Sequence, residues 1–206
     1  MNPLNSIKGV WITGVILAVV LAVVVNLSAS AGWFAFQWLE FWRWVHVLAG
    51  ITWIGLLYYF NFVQMPAVAK AGADQAGPGP AAINQYVAPL ALLWFRWAAV
   101  VTWISGAVYL SITQQFANAF SLGFAGEFDP HYGLPMGLGV WLGTIMLINV
   151  WVFIWPNQKK VLGLVEADDA AKAKAKKIAT MFSRTNVVLS IPMLMFMVAA
   201  RHGLVF

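Results

Sequence analysis

Cysteine is absent from all 206 residues. That excludes disulfides, thiolate zinc sites, iron–sulfur clusters and covalent c-type haem attachment, and leaves histidine, carboxylate and methionine as ligand types. Any redox centre must therefore be bound non-covalently. Charge is scarce as well: only 9% of residues are Asp, Glu, Lys or Arg, against 62% hydrophobic, where soluble domains carry roughly a quarter charged. A chain so poor in polar surface cannot cover a globule in water, and it is expected to be an integral membrane protein in contact with lipid. The formal charge of +5 does not point to nucleic acid, because the basic residues cluster in one stretch beside apolar runs, as in cytoplasmic loops.

The apolar runs divide the chain into five expected spans, about 9–27, 43–64, 88–113, 136–155 and 180–200, long enough to cross a hydrocarbon core of about 30 Å. The expected fold is all-α, an integral membrane bundle of five transmembrane helices forming a single membrane domain over 1–206. Val10 to Val25 followed by Ser28-Ala-Ser-Ala31 resembles a signal peptide with its cleavage site, but is read as the first span. Trp33, Phe34, Phe36, Trp38, Phe41 and Trp42 read as an interfacial aromatic belt. Met65-Pro66 and Pro156 are expected to stop the second and fourth helices, since proline removes a donor and restricts the residue before it. Residues 67–82 read as a flexible loop, and 168–177, rich in Ala and Lys, as a separate surface helix. Between Asn157 and Arg184 there are seven Lys and Arg, and between Ala117 and Pro135 none. The former stretch is expected inside, which puts the N-terminus inside and the C-terminus outside.

Few groups remain that could carry chemistry. In Phe41-Trp-Arg-Trp-Val-His46 and its apolar continuation an imidazole sits near one end of a span, and an ionisable residue there is a functional-site hypothesis by default. His46, Gly50, Trp53 and Leu57 share one helix face, so the ring would project beside a glycine gap and an aromatic wall, room for a flat cofactor. The plain alternative is a histidine bonded to a neighbouring helix as polar glue. His131 and His202 are the other histidines, and the topology puts all of them on the outer side. His46 and His202 fall at similar depth on different helices, where they could hold a haem iron between them, while Arg43 and Arg201 could meet its carboxylates. Arg96, inside Leu93-Trp-Phe-Arg-Trp97, must snorkel, stack on tryptophan or pair with a carboxylate or propionate.

The stretches Arg43-Trp-Val-His-Val-Leu-Ala-Gly-Ile-Thr-Trp-Ile-Gly55, Trp94-Phe-Arg-Trp97, Leu142-Gly-Thr-Ile-Met-Leu-Ile-Asn-Val-Trp151 and Ile191-Pro-Met-Leu-Met195 resemble the membrane domain of bacterial membrane-bound urate hydroxylase, the urate oxidase N-terminal domain family. The resemblance implies a bacterial inner (cytoplasmic) membrane protein and a truncated form, because the family's full-length enzymes continue into a cytochrome c and no CxxCH motif occurs here. Where the family usually has histidine, this chain has Leu93 and Gly137, and where it has His-Asn-Asn this chain has Thr185-Asn186. Three functions follow as expectations. The first is a redox-type subunit with b-type haem at His46, His202, Gly50, Trp53, Arg43 and Arg96, exchanging electrons with other membrane subunits or a separate cytochrome c. The second is a haem-free structural accessory subunit of a larger membrane complex. The third is urate or purine oxidation.

Overall fold

The computed structural model describes residues 2–29 and 36–204. Trp33 and Phe34 of the expected aromatic belt, and Ser30 and Ala31 of the signal-like stretch, lie outside the described residues. The chain separates into two compact units, 1–38 and 39–206. In the first, Asn2 caps a single 3-10 turn, Pro3–Asn5, by accepting from the Leu4 N–H at 2.9 Å. Helix α1, Ile7–Ala29, follows, apolar on every side and with none of its described side chains buried.

The second unit holds α2 (Trp38–Ala73) from its second residue onward, α3 (Ile83–Ile112), the short α4 (Phe116–Phe120), α5 (Gly133–Val161) and α6 (Asp169–His202). No strand occurs among the described residues. Helices α1, α2, α3, α5 and α6 are each long and apolar enough to cross a membrane, as expected from the apolar runs. In hydrocarbon only closed hydrogen-bonded elements satisfy the backbone, which is why the runs all resolve as helix.

The helices do not stop where proline predicted. Phe60–Gln64, Ile83–Val87 and Asn149–Ile154 are π-helical, and Pro66, Pro89 and Pro156 each lie two residues beyond such a turn. A proline ring clashes with the carbonyl four residues back, here Phe62, Gln85 and Val152, all inside the π turns. The wider turn moves that carbonyl aside, so α2 runs through Pro66 and α5 through Pro156. The expected surface helix and last span likewise form one element. Asp168 caps α6 by accepting from the Ala171 N–H at 2.6 Å, and no Gly or Pro interrupts 169–191.

The core of the second unit gathers Leu57 and Phe60 of α2, Phe95 and Ala99 of α3, Met146, Val150 and Ile154 of α5, and Met193 of α6. Ala175, Ala179, Ser183, Asn186 and Ser190 form the buried stripe of α6. Residues this small let helix backbones approach closely where lipid supplies no hydrophobic drive between helices. Large side chains fill the half of the bundle nearer the lysine-rich end. The other half keeps an opening.

Candidate functional site

That opening is a cavity of about 640 Å³ within the second unit, walled by α2, α3, α5 and α6. Glycines keep it open. A Cβ on Gly50 would meet only Thr102 Cγ2, at 3.7 Å, one on Gly143 only Met193 Cγ, at 4.0 Å, and one on Gly55 nothing within 4 Å. Most of the remaining lining is apolar or sulfur-bearing, with Ile54, Trp103, Met136, Met193 and Met197 among it. Trp53, only 2% exposed, closes one side.

His46 crosses from α2 to α3. Its ring lies against Gly106, where a Cβ would come within 2.9 Å of Cε1 and Nδ1, so only glycine lets the imidazole reach the α3 backbone. Nδ1 is 2.8 Å from the Thr102 carbonyl oxygen. A carbonyl only accepts, so Nδ1 carries the proton and Nε2 keeps its lone pair. This is the arrangement in which histidine binds iron or another metal: one ring nitrogen is held by the backbone and the other is free to coordinate.

Two guanidinium groups meet at the rim. Arg43 Nη2 donates to Tyr109 Oη at 3.2 Å and Arg201 Nη2 to the same oxygen at 3.3 Å. Arg43 also lies over the Tyr109 ring, 5.4 Å from its centroid, and pairs with Glu40 at 2.9 Å. Arg201 lies 5.2 Å from the Tyr132 ring centroid. One phenol thus holds two cations beside an apolar chamber with a single carboxylate in contact, and the excess positive charge suits the carboxylates of an amphiphilic ligand.

Of the residues marked in the sequence, Arg43, His46, Gly50 and Trp53 line this cavity, and so does Arg201. His202 does not. The α6 residues facing the cavity are Met193, Leu194, Met197, Val198 and Arg201, and His202, one residue on, is turned about 100° away from Arg201. It is exposed. Arg96 stacks on Trp155 of α5, 3.9 Å from the ring centroid, and is not among the cavity residues. It resolves as the tryptophan-stacked alternative, away from His46. Among the described residues no three His, Asp or Glu come together as a metal-ion site. Gly106, Thr102, Tyr109 and the methionines complete the cavity without having been marked. The spacing of Gly106 and Tyr109, three apart, was the only hint, since it puts both on one face of α3.

The fold and site define an all-helical class of protein, with five helices long and apolar enough to cross a membrane and a glycine-lined chamber reached by a single imidazole. Residues 132–206 match the family described as urate oxidase N-terminal. The match covers about a third of the chain, from Tyr132 through α5 and α6. The stretches at 142–151 and 191–195 fall inside it, and those at 43–55 and 94–97 outside. No curated protein and no solved structure matches the chain.

Proposed function

We propose that this chain is a membrane redox subunit that binds b-type haem in the cavity and exchanges electrons with a partner protein, either a neighbouring membrane subunit or a separate cytochrome c, at the bacterial inner membrane. The observation that carries the reading is the imidazole of His46, fixed as the Nδ1–H tautomer by Thr102 in the wall of a largely apolar chamber. The volume of about 640 Å³ lies within the range of about 300–1,000 Å³ common for pockets that enclose an organic ligand. His46 Nε2 would hold the iron, Gly50 and Trp53 would bound the macrocycle, and Arg43 and Arg201 would meet its carboxylates. Bound there, the haem would supply one-electron transfer. The chain itself supplies a largely apolar, positively rimmed site and one oriented ligand, which favour retention of the group and set its potential.

The test is a reduced-minus-oxidised visible spectrum of the purified protein and of His46→Ala. Soret and α-bands in the wild type that vanish or shift in His46→Ala support the site. Bands unchanged in the variant would move the haem elsewhere in the bundle. A second reading, a haem-free accessory subunit, is favoured by the bond from His46 to Thr102, because helix–helix glue would need no more than that. A wild-type spectrum without haem bands would leave that reading standing. Oxidation of urate or a purine draws support from the family match alone; with Leu93, Gly137 and Thr185 in this chain, the cavity holds no histidine base besides His46.

A further inference from the structure

The cavity is open on one flank. Every exposed residue of its lining belongs to α2 or α6, and none, among the described residues, to α3, α4 or α5. Val47 and Ile51 of α2 and Leu194 and Val198 of α6 both border the cavity and stand exposed, with Ile51 67% and Val198 59% accessible. They lie in the middle of helices long enough to span a membrane, so the mouth they mark faces sideways, where lipid chains would be, and not toward either aqueous surface.

The mouth has two ends. Toward the lysine-rich side α2 and α6 are tied by Tyr58 Oη and Ser190 Oγ, 2.9 Å apart, and one turn on by Asn61 Nδ2, which donates to Ser183 Oγ at 2.8 Å. At the other end stand Arg43 and Arg201, both donating to Tyr109 Oη. Arg43 precedes Tyr58 by fifteen residues and Arg201 follows Ser190 by eleven, about 22 Å and 16 Å of helix at 1.5 Å per residue. One leaflet of a hydrocarbon core is about 15 Å deep, half of the roughly 30 Å total. The slot therefore has the height of one leaflet, apolar walls along its length and two guanidinium groups at the headgroup end. Glu40 pairs with Arg43, while Arg201 pairs with no carboxylate among the described residues, which leaves one cation for an anion from outside.

We propose that the cavity admits an acyl chain of an anionic phospholipid sideways, between α2 and α6, from the leaflet on the arginine side, with the lipid phosphate held by Arg43 and Arg201. Guanidinium forks suit phosphate oxygens, and the chain fills apolar space that would otherwise lose its contacts. The proposal goes beyond the haem reading and stands without it. A haem held by His46 would displace the chain, so each measurement is made on the full chain and on His46→Ala.

Phosphatidylglycerol with a diazirine at the end of one acyl chain is incorporated into vesicles containing either protein, and the sites of photo-insertion are mapped. Insertion is expected at Ile54 and Met193, which line the cavity and are buried, and which lie eleven and eight residues from Arg43 and Arg201, about 16 Å and 12 Å along their helices. Insertion confined in both proteins to outward side chains such as Val188 and Ile191, exposed on α6 and outside the cavity lining, would overturn the proposal, since lipid would then only coat the bundle. Native mass spectrometry in detergent with added phosphatidylglycerol gives a second measurement. Arg43→Gln together with Arg201→Gln should weaken lipid binding at least about tenfold, because two charge-assisted bonds are lost. Lys176→Gln together with Arg184→Gln, exposed cations nearer the other end of α6, should leave it unchanged. Equal weakening in the two double variants, or none in the first, would count against the site. Both readouts are lipid adducts, so their failure is distinct from a failure of the haem spectrum.

Discussion

At the scale of single residues, the site depends on one glycine that the sequence does not advertise. Gly106 lies in Trp103-Ile-Ser-Gly106 and has no motif around it, yet the His46 ring lies where its Cβ would be. Gly106→Ala should therefore push the imidazole off the α3 backbone and break the 2.8 Å bond to Thr102. Neither partner can yield cheaply, since one is helix backbone and the other a rigid ring, and overpacking of this kind costs about 1–3 kcal/mol. The expected result is a lowered thermal midpoint together with loss or displacement of any His46-dependent absorption band. A variant with unchanged midpoint and spectrum would show that the ring does not rest there. His46, Gly50 and Trp53 could be read from the sequence because helical spacing alone puts them on one face. Gly106, Thr102 and Tyr109 could not, because the face of α3 turned to α2 is decided by tertiary packing. Gly137 shows the same limit. The family resemblance implies a histidine near it, and in this fold the place of its side chain is taken by the Ala119 carbonyl and the backbone of Leu122.

At the scale of elements, periodicity and length were sufficient to find the long helices, whereas their ends depended on how the backbone accommodates proline. The π turns before Pro66, Pro89 and Pro156 use a wider hydrogen-bond ring that no propensity scale encodes, so continuation through proline was not readable. The turns also place polar side chains: Asn61 and Gln64 lie in the first and Asn149 in the third, and Asn61 and Asn149 bond to Ser183 and Asn186 of α6. The connection before α5 is organised by Asp129, whose carboxylate accepts from the Tyr132 N–H at 2.9 Å, the His131 N–H at 3.2 Å and Asn118 Nδ2 at 3.3 Å. These bonds, that from Tyr132 first, hold its carboxyl below the ordinary carboxylate range. A group whose pKa is lowered on folding contributes stability above its unfolded pKa and loses it as pH falls through the folded one. Thermal midpoints measured against pH should therefore show wild type above Asp129→Asn by a constant margin from neutral pH down to the usual carboxylate pKa, with the margin closing below it. A margin independent of pH would mean that the carboxylate charge plays no part in holding the loop.

At the scale of the whole molecule, the distribution of cations against helix length fixes an expected orientation. Helix α6 has 34 residues, about 51 Å at 1.5 Å per residue, far more than the roughly 30 Å of a hydrocarbon core. Set along the membrane normal, about two-fifths of it stands outside the core. The part that does so at least cost is its first turns, which hold Lys172, Lys174, Lys176 and Lys177. Lys159 and Lys160 at the end of α5 lie in the turns leading to the same connection. The connection from α3 to α5 has no Lys or Arg between Thr113 and Tyr132 and contains Glu127 and Asp129. Because cytoplasmic loops retain basic residues, the α5–α6 connection is expected inside and the α3–α5 connection outside. Phe124 is 67% exposed in the latter and Leu164 is 59% exposed in the former, so a single cysteine at either place reports sidedness without disturbing the core. In intact cells an impermeant maleimide should label Phe124→Cys directly and Leu164→Cys only after permeabilisation. Labelling of both from outside would mean that α5 does not cross the membrane, and the reverse pattern would invert the bundle. In the inverted case the arginine rim and the His46 cavity would lie toward the cytoplasm, and the proposed electron partner would have to be sought on that side.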